Sequence, residues 1–187
     1  MKSRCKWVGE SKLMISYHDS EWGVPLHDDR RLFEFLVLEG AQAGLSWMTI
    51  IKRRDGYRKA FDNYDVEKIS SFPEIKIKEL LLDPGIIRNK QKITSVVNNA
   101  KCFIEVQKDF GSFNKYIWSF IPEQKQIKNS WVKDEQIPAR TDLSDLISLD
   151  MKKRGFSFFG TTICYAHMQA TGMVNDHVTS CFRYNKV

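Results

Sequence analysis

Residues 74–106, EIKIKELLLDPGIIRNKQKITSVVNNAKCFIEV, contain two helical patterns on either side of a short break. Apolar residues recur at helical spacing over 74–82 and again over 89–106, so we predict a helix for each run. Only residues 83–88 separate the two runs, and they include Gly85, which favours a tight turn. The stretch therefore predicts two antiparallel helices joined by a sharp turn.

Helical spacing also dominates outside this hairpin. Asp28 is a candidate N-cap, and the residues that follow it place Leu32, Phe35 and Leu36 on one helical face. The further predicted helices cover residues 47–61, where the basic run 52–54 is expected to form the solvated face, and residues 114–120, 143–154, 162–171 and 176–182. Strand patterns are nearly absent, with residues 125–132 as the one weak candidate, and there is no fixed-period repeat. The predicted fold class is all-α.

Composition places the chain among globular proteins. The 187 residues are 42% hydrophobic and 28% charged, which predicts one domain with a real core and excludes a disordered chain. A net charge of +6 favours an acidic partner or a polyanion. We expect no membrane partner and a cytoplasmic protein, because there is no window of about 18 apolar residues and no apolar signal core. Four cysteines are too few for a disulfide scaffold.

The turn at Gly85 has the chemistry of a phosphate-binding site. Glycine allows close approach of the backbone, and the amides that open the next helix attract an anion. Arg88 and Lys90 add positive charge, which favours a DNA backbone through counterion release. The basic runs 52–54 and 152–154 would extend this surface, although charge runs are usually just solvated. The alternative for the hairpin is a plain helix pair with a solvated basic end.

Cysteine and histidine residues lie near both ends of the chain. His177 and Cys181 are four residues apart, so on a helix both would face one ion. Adding Cys5 and His18 would complete a Cys2His2 tetrahedron with no open position, as in structural zinc sites. On spacing alone, the alternative is a set of unrelated surface histidines and buried cysteines.

Glu39 places a carboxylate on the apolar face of the helix after Asp28. An unpaired buried charge is costly, so such a group either has a raised pKa or awaits a donor or cation, which marks candidate functional sites. Trp47 follows past a probable helix break and is expected to face the same cavity as Glu39. The alternative is a Glu39 paired with an arginine or with backbone amides.

Flat aromatic side chains surround the N-terminal metal-ligand candidates. Tyr17 and Trp22 flank His18, and Trp7 lies near Cys5. A site that includes this segment would therefore acquire aromatic walls. The alternative is that these rings belong to an ordinary core.

The combination of motifs is more specific than any one of them. In order along the chain occur Cys5, YHD (17–19), EWGVP (21–25), LEG (38–40), AGLSW (43–47), GIIR (85–88), KRGF (153–156), GTTICY (160–165) and VNDHV (174–178). With these blocks the chain resembles the 3-methyladenine DNA glycosylase I family of constitutive bacterial enzymes over residues 4–181.

The resemblance implies the architecture of the chain. It implies an all-helical member of the helix-hairpin-helix glycosylase superfamily whose two lobes frame the lesion pocket. We expect one catalytic domain over 1–187, with a hairpin-containing lobe at about 41–113 and a zinc-containing lobe formed by 1–40 and 114–187. The lesion pocket then lies between the lobes.

The resemblance also implies a role for individual residues. The residues that match the zinc ligands are Cys5, His18, His177 and Cys181. Glu39 matches the pocket carboxylate and is expected to be the catalytic residue; the expected base-binding residues are Tyr17, Trp47, Trp7 and Trp22. Leu45 lies in a turn that the family presses into the DNA stack. The expected DNA contacts are Gln42, Gly44, Leu45, Gly85, Arg88 and Lys90.

The implied function is hydrolysis of the N-glycosidic bond of 3-methyladenine in alkylated double-stranded DNA, which releases the free base. We expect a monomer with one structural Zn²⁺. Because the methylated base is positively charged, recognition by aromatic rings and Glu39 is expected to outweigh general-base catalysis. The alternatives are a non-catalytic, zinc-stabilised DNA-binding module and a nucleoside hydrolase; salt-sensitive duplex binding would argue against the second.

Overall fold

The computed structural model describes residues 2–187 as mostly helical, as the sequence predicts; Met1, with which the predicted domain begins, lies outside the described residues. The helices are α1 (Lys12–Ser20), α2 (Asp29–Gln42), α3 (Trp47–Ile51), α4 (Arg54–Ala60), α5 (Val66–Ser70), α6 (Glu74–Leu82), α7 (Lys90–Phe110), α8 (Phe113–Trp118), α9 (Asp142–Lys153) and α10 (Thr161–Ala170). Two short strands, β1 (Ile127–Lys128) and β2 (Val174–Asn175), pair in parallel. Over residues 2–187, no helix combines the length and the apolar character that a membrane span needs.

Helix α2 is the centre of the core. The Asp28 side chain caps it by accepting a hydrogen bond from the Arg31 backbone N–H at 2.9 Å, as the sequence predicts. Every residue over 32–41 is buried, and the helix packs against α7, α8 and α10. A helix enclosed on all sides delivers any polar residue that it carries into the protein interior.

The predicted pair of helices is present as α6 and α7. Asn89 caps α7 by accepting from the Lys92 N–H at 3.0 Å, and Gly111 ends the helix with a φ of 81°. Within the turn, the Asp83 carboxylate accepts from the Gly85 N–H at 2.7 Å. The turn is therefore held by a local side-chain contact.

The same turn rests on α4. A methyl group added to Gly56 would overlap the carbonyl of Gly85, so the two backbones approach too closely for any other residue. The Tyr57 hydroxyl accepts a hydrogen bond from the Ile87 N–H at 3.2 Å. These contacts fix the turn between α6 and α7 against α4.

The predicted single helix over 47–61 is wrong, because the chain bends between α3 and α4. The prediction of a solvated basic face at 52–54 is wrong for Arg54, whose side chain is 14% exposed. It binds Glu34 at 2.8 Å and Glu21 at 2.9 Å. Both carboxylates lie outside α3 and α4, so Arg54 at the start of α4 is held against other parts of the protein and away from solvent.

The predicted helix over 176–182 is also wrong. Residues 174–175, which directly precede this segment, are extended because they form strand β2 and pair in parallel with β1, Val174 opposite Ile127. The Asp176 carboxylate is then surrounded by four side-chain donors, from Asn129, Trp131, Tyr165 and Gln169. Turns follow instead of a helix, because these tertiary contacts outweigh the helical spacing.

Candidate active site and metal centre

One cavity of about 420 Å³ gathers residues from four separated parts of the chain. It is lined by Trp7, Tyr17, Trp22, Glu39, Gln42, Trp47, Asp134, Ile137, Pro138, Ala166 and Gln169. This volume lies in the range of small-molecule sites and is large enough for a nucleobase. The structure thus brings together the predicted carboxylate and all four predicted aromatic residues.

The aromatic rings form a connected wall. The ring centroids of Tyr17 and Trp47 lie 5.5 Å apart, and those of Trp7 and Trp22 lie 5.0 Å apart. Trp7 and Tyr17 join the two pairs at 6.4 Å. Burial raises the pKa of Tyr17 well above its ordinary value, and the nearby Glu39 adds to the shift. The Tyr17 hydroxyl is therefore neutral and can both donate and accept a hydrogen bond.

Glu39 is delivered to this wall by the buried helix α2. Glu39 is 3% exposed, and its Oε2 atom has no hydrogen-bond partner among residues 2–187. Burial raises the pKa of the carboxyl from 4.5 to about 8. Pairing with an arginine, the alternative considered from the sequence, is absent from the described contacts of Glu39.

Trp47 contributes a second unpaired polar atom. Ser46 caps α3 by accepting from the Thr49 N–H at 3.2 Å, which fixes the helix that begins with Trp47. The buried indole Nε1 atom of Trp47 has no partner within the described chain. Buried polar groups normally have partners, so two unsatisfied atoms from residues of one cavity indicate a site that a ligand completes.

Sequence reasoning missed one wall of the cavity. Asp134, Ile137 and Pro138 come from the polar, irregular stretch 122–140, in which the sequence shows no motif. The stretch is held in place where the Trp131 indole donates to Asp176 at 2.7 Å and the Asp134 carboxylate accepts from the Lys6 N–H at 2.9 Å. The polar composition of this stretch did not indicate that it lines a cavity, because an ordinary surface loop has the same composition.

The four predicted metal ligands converge although their segments lie at opposite ends of the sequence. Cys5, His18, His177 and Cys181 are all buried, and one ligand atom from each lies within 4.8 Å of the others. Cys5 Sγ is 3.6 Å from His177 Nδ1, while Cys181 Sγ is 3.5 Å from both His177 Nδ1 and His18 Nε2. The cluster is a candidate metal centre.

Each histidine of the cluster is oriented through its other ring nitrogen. His18 Nδ1 lies 2.8 Å from an Asp19 carboxylate oxygen, and Asp19 is itself bound by Arg4 at 2.7 Å. His177 Nε2 lies 3.2 Å from the backbone carbonyl of Trp22. Such outer contacts fix which nitrogen faces the ion, as is usual for histidine ligands of metals.

The candidate metal centre and the cavity share a wall. Tyr17 of the cavity directly precedes His18 of the cluster on α1. The Trp22 ring, which lines the cavity, meets the His177 ring edge to face at 4.6 Å. The cluster and the aromatic wall are therefore in direct contact.

The candidate DNA contacts occupy exposed turns. Gly44 has a φ of 76°, and Leu45 beside it is 38% exposed, an unusual position for a large apolar side chain. Gln42 lines the cavity at the base of this turn. Arg88 and Lys90 are exposed. Gly85 is half-buried because it packs against Gly56 of α4. Their contact with DNA remains a prediction.

Sequence comparison agrees with this geometry. The chain matches the family model for methyladenine glycosylase over residues 7–184. It belongs to the methyladenine glycosylase family. The resemblance inferred from the motif blocks is thereby confirmed.

Individual members of the methyladenine glycosylase family cover nearly all of this chain. DNA-3-methyladenine glycosylase 1 of Escherichia coli (strain K12) is 45% identical over 181 residues, which are 97% of this chain and 96% of the relative. A crystal structure of 3-methyladenine DNA glycosylase I has a TM-score of 0.94 at 44% identity and covers 96% of this chain and 98% of its own. Another, of a variant of 3-methyladenine DNA glycosylase I in complex with 3-methyladenine, has a TM-score of 0.93 at 30% identity, with 96% of each chain covered.

Proposed function

We propose that this chain is a monofunctional DNA glycosylase of base excision repair. It hydrolyses the N-glycosidic bond of 3-methyladenine in alkylated DNA, releases the free base and leaves an abasic site. The observation that carries the proposal is the buried, unpartnered Glu39 carboxyl beside aromatic rings in a cavity of nucleobase size. The names of its relatives point to the same reaction.

The cavity is suited to a positively charged base. Methylation at N3 makes adenine in DNA cationic, and a cation over electron-rich rings gains on the order of 0.5 to 2 kcal/mol. We propose that Tyr17 and Trp47 stack on the base once it has left the duplex. Unmodified adenine carries no charge and gains less from the same rings.

Glu39 is a second feature of the cavity that favours a positively charged base over a neutral one. With a pKa of about 8 the carboxyl is mostly protonated in the empty pocket at neutral pH. A cationic base favours the ionised form, so its arrival lowers the pKa and releases a proton. The resulting carboxylate accepts a hydrogen bond from the adenine edge. A neutral base cannot induce this change, so Glu39 favours the methylated base.

The lesion itself supplies much of the driving force for bond cleavage. When the bond between the base and the sugar breaks, its electron pair stays with the base and neutralises the charge. Water then adds to the sugar carbon and loses a proton. The role of Glu39 is to hold the base and to offset positive charge on the sugar in the transition state, and we rank this above general-base catalysis.

We infer that the cluster of Cys5, His18, His177 and Cys181 holds one structural Zn²⁺. With bonds of about 2.3 Å to sulfur and about 2.05 Å to nitrogen, tetrahedral zinc separates a sulfur from a nitrogen ligand by about 3.6 Å. Three of the four sulfur–nitrogen distances, at 3.5 to 3.6 Å, fit this geometry. Because four protein ligands leave no open position, the ion would join the two ends of the chain and stay outside the hydrolysis.

We propose that DNA approaches through the turn after α2. Leu45 would press into the base stack while Gln42 and Gly44 lie beside it. An exposed leucine on a tight glycine turn suits a wedge, because inserting an apolar group opens a base step. The cavity behind Gln42 would then receive the extruded base.

The turn between α6 and α7 is proposed to bind the DNA backbone in the manner of the helix-hairpin-helix superfamily. Gly85 allows close approach, and Arg88 and Lys90 are free to neutralise phosphates. In this arrangement residues 41–113 form the hairpin lobe, and 1–40 with 114–187 form the zinc lobe. Since the cavity and the cluster are both built from one chain, we propose a monomer, and its metal-binding thiols suit a reducing cytoplasm.

An abasic-site assay on alkylated duplex DNA tests the proposed function. The expected result is release of 3-methyladenine, identified by chromatography, together with abasic sites in equal amount. DNA binding without either product would favour the non-catalytic binding module instead. Release of bases from free nucleosides but not from duplex would favour a nucleoside hydrolase.

A further inference from the structure

Lys92 makes an internal contact that neither the cavity nor the hairpin explains by itself. Its Nζ atom donates hydrogen bonds to the backbone carbonyls of Ala41, at 2.8 Å, and Ala43, at 2.6 Å. The side chain is half-buried, and burial lowers its pKa below the ordinary value. Lys92 lies in the first turn of α7, whereas its two acceptors lie at the C-terminal end of α2.

The end of α2 needs such a contact. The last carbonyls of a helix have no intrahelical partners, and a positive charge beside them is favourable. After Ala43 the chain enters the left-handed conformation at Gly44, and the Leu45 N–H turns back to the carbonyl of Gln42 at 2.6 Å. The Lys92 ammonium thus fixes the two carbonyls that flank Gln42 and lead into the exposed turn.

This one contact joins two surfaces that have separate roles in the proposed function. The turn 43–46 carries Leu45 and lies between Glu39 and Trp47 in the sequence. The N-terminal end of α7 adjoins the basic turn of the hairpin. Lys92 therefore spans from the proposed backbone-binding hairpin to the proposed wedge.

We propose that Lys92 is a positioning residue that holds the turn 43–46 in register with the hairpin, so that backbone binding delivers Leu45 to the base stack. The proposal rests on the proposed function. Lys92 is distinct from Lys90, which is exposed and has no ion-pair or side-chain hydrogen-bond partner in residues 2–187. The charge of Lys92 is used inside the protein and is not available to a phosphate.

The test compares Lys92→Met with Lys101→Met, which alters an exposed lysine on the same helix, and with Lys90→Met. We expect Lys92→Met to lower the single-turnover excision rate from alkylated duplex DNA at least about tenfold, because small displacements of positioned groups cost this much or more. Lys101→Met is expected to match the wild-type rate. Lys92→Arg, which keeps charge and donors, is expected to restore most of the lost rate.

Two further measurements separate positioning from other roles. The dissociation constant of free 3-methyladenine, measured by tryptophan fluorescence, should stay within about twofold in Lys92→Met, since the Lys92 ammonium donates to backbone carbonyls and not to Tyr17, Glu39 or Trp47. The salt dependence of duplex binding should keep its slope in Lys92→Met but become shallower by about one unit in Lys90→Met.

Several results would overturn the inference. It is wrong if Lys92→Met excises at the wild-type rate, if its free-base affinity falls as much as its excision rate, or if its salt slope falls by one unit. Should Lys92→Met not fold, Lys92→Gln, which replaces the ammonium by a neutral amide donor, must show the same split between duplex excision and free-base affinity. A wild-type protein that releases no base would instead refute the proposed function.

Discussion

The cluster of candidate metal ligands and the cavity lie side by side. The polar groups of the cluster have partners, whereas two buried polar atoms of the cavity have none within the described residues. In the cluster, the thiol and imidazole groups of Cys5, His18, His177 and Cys181 face one another, and the outer nitrogens of both histidines have partners. In the cavity, Glu39 Oε2 and Trp47 Nε1 have none within the described residues.

This difference is the one expected between a structural site and a binding site. A closed set of convergent donors stabilises the fold and leaves no place for a substrate. Unsatisfied polar atoms beside an open volume cost stability, so their presence indicates that a ligand supplies the missing contacts. The contact between the Trp22 and His177 rings joins the cluster to the cavity.

Metal removal should have the largest effect, and it tests whether the cluster is a structural site. We expect purified protein to contain about one zinc per chain by elemental analysis. Zinc at a thousand times its dissociation constant stabilises the folded state by about 4 kcal/mol, so chelation should lower the free energy of unfolding by at least this amount in denaturant titrations. Cys102→Ser, which changes a half-buried cysteine outside the cluster, should retain the metal. Protein without any metal would contradict the zinc assignment.

Substitution of the cavity carboxyl should act on excision and leave the metal in place. Glu39→Gln is expected to lower the single-turnover excision rate about a hundredfold, because it removes a charge-selective hydrogen bond and the charge that opposes the cationic sugar. Duplex binding should be retained in a filter or anisotropy assay. The control Glu105→Gln, on the exposed face of α7, should excise within about twofold of wild type. An unchanged rate for Glu39→Gln would remove Glu39 from the reaction.

Loss of one aromatic wall should weaken base binding by a smaller factor. Stacking on an aromatic side chain is worth about 1 to 3 kcal/mol per base, so Trp47→Ala should raise the dissociation constant of free 3-methyladenine about tenfold or more. Trp47→Phe keeps an aromatic face and should lose less. Isothermal titration is the direct measurement, and equal affinities for all three proteins would place the base elsewhere.

Counted for a single pH unit, the smallest effect is the change in folding stability that the Glu39 carboxyl contributes, which a comparison of wild type with Glu39→Gln isolates. The Glu39 pKa of about 8 in the folded state exceeds its ordinary value of 4.5, so between these values the folded protein binds more protons than the unfolded chain. Stability from this group is therefore lost as the pH rises, by at most about 1.4 kcal/mol for each pH unit. The Glu39→Gln variant should gain stability relative to wild type from pH 5 to pH 8. A constant difference across this range would mean that the carboxyl is already ionised.

The sequence was informative where local signals and tertiary contacts agree. Helices α2 and α7 have the predicted positions within a few residues, because each combines a side-chain cap with an apolar face that the core buries. Helix α6 follows from its spacing alone, since its N-cap residue Pro73 makes no side-chain cap hydrogen bond. The sequence was misleading at residues 52–54 and 176–182. There Arg54 and Asp176 make buried polar contacts with distant residues, and helical spacing carries no information about such partners.

The sequence by itself determined the helical class, the chemical types of the site residues and the family, because these depend on residue identity, local spacing and the order of motifs. Only the tertiary structure decided that two cysteines and two histidines from opposite ends meet within 4.8 Å, and that Glu39 remains unpaired beside Tyr17 and Trp47. The physical reason is that burial and pairing of a polar group depend on every segment packed around it. The wall formed by residues 134–138 and the link from Lys92 to the end of α2 follow from that packing and from no local pattern.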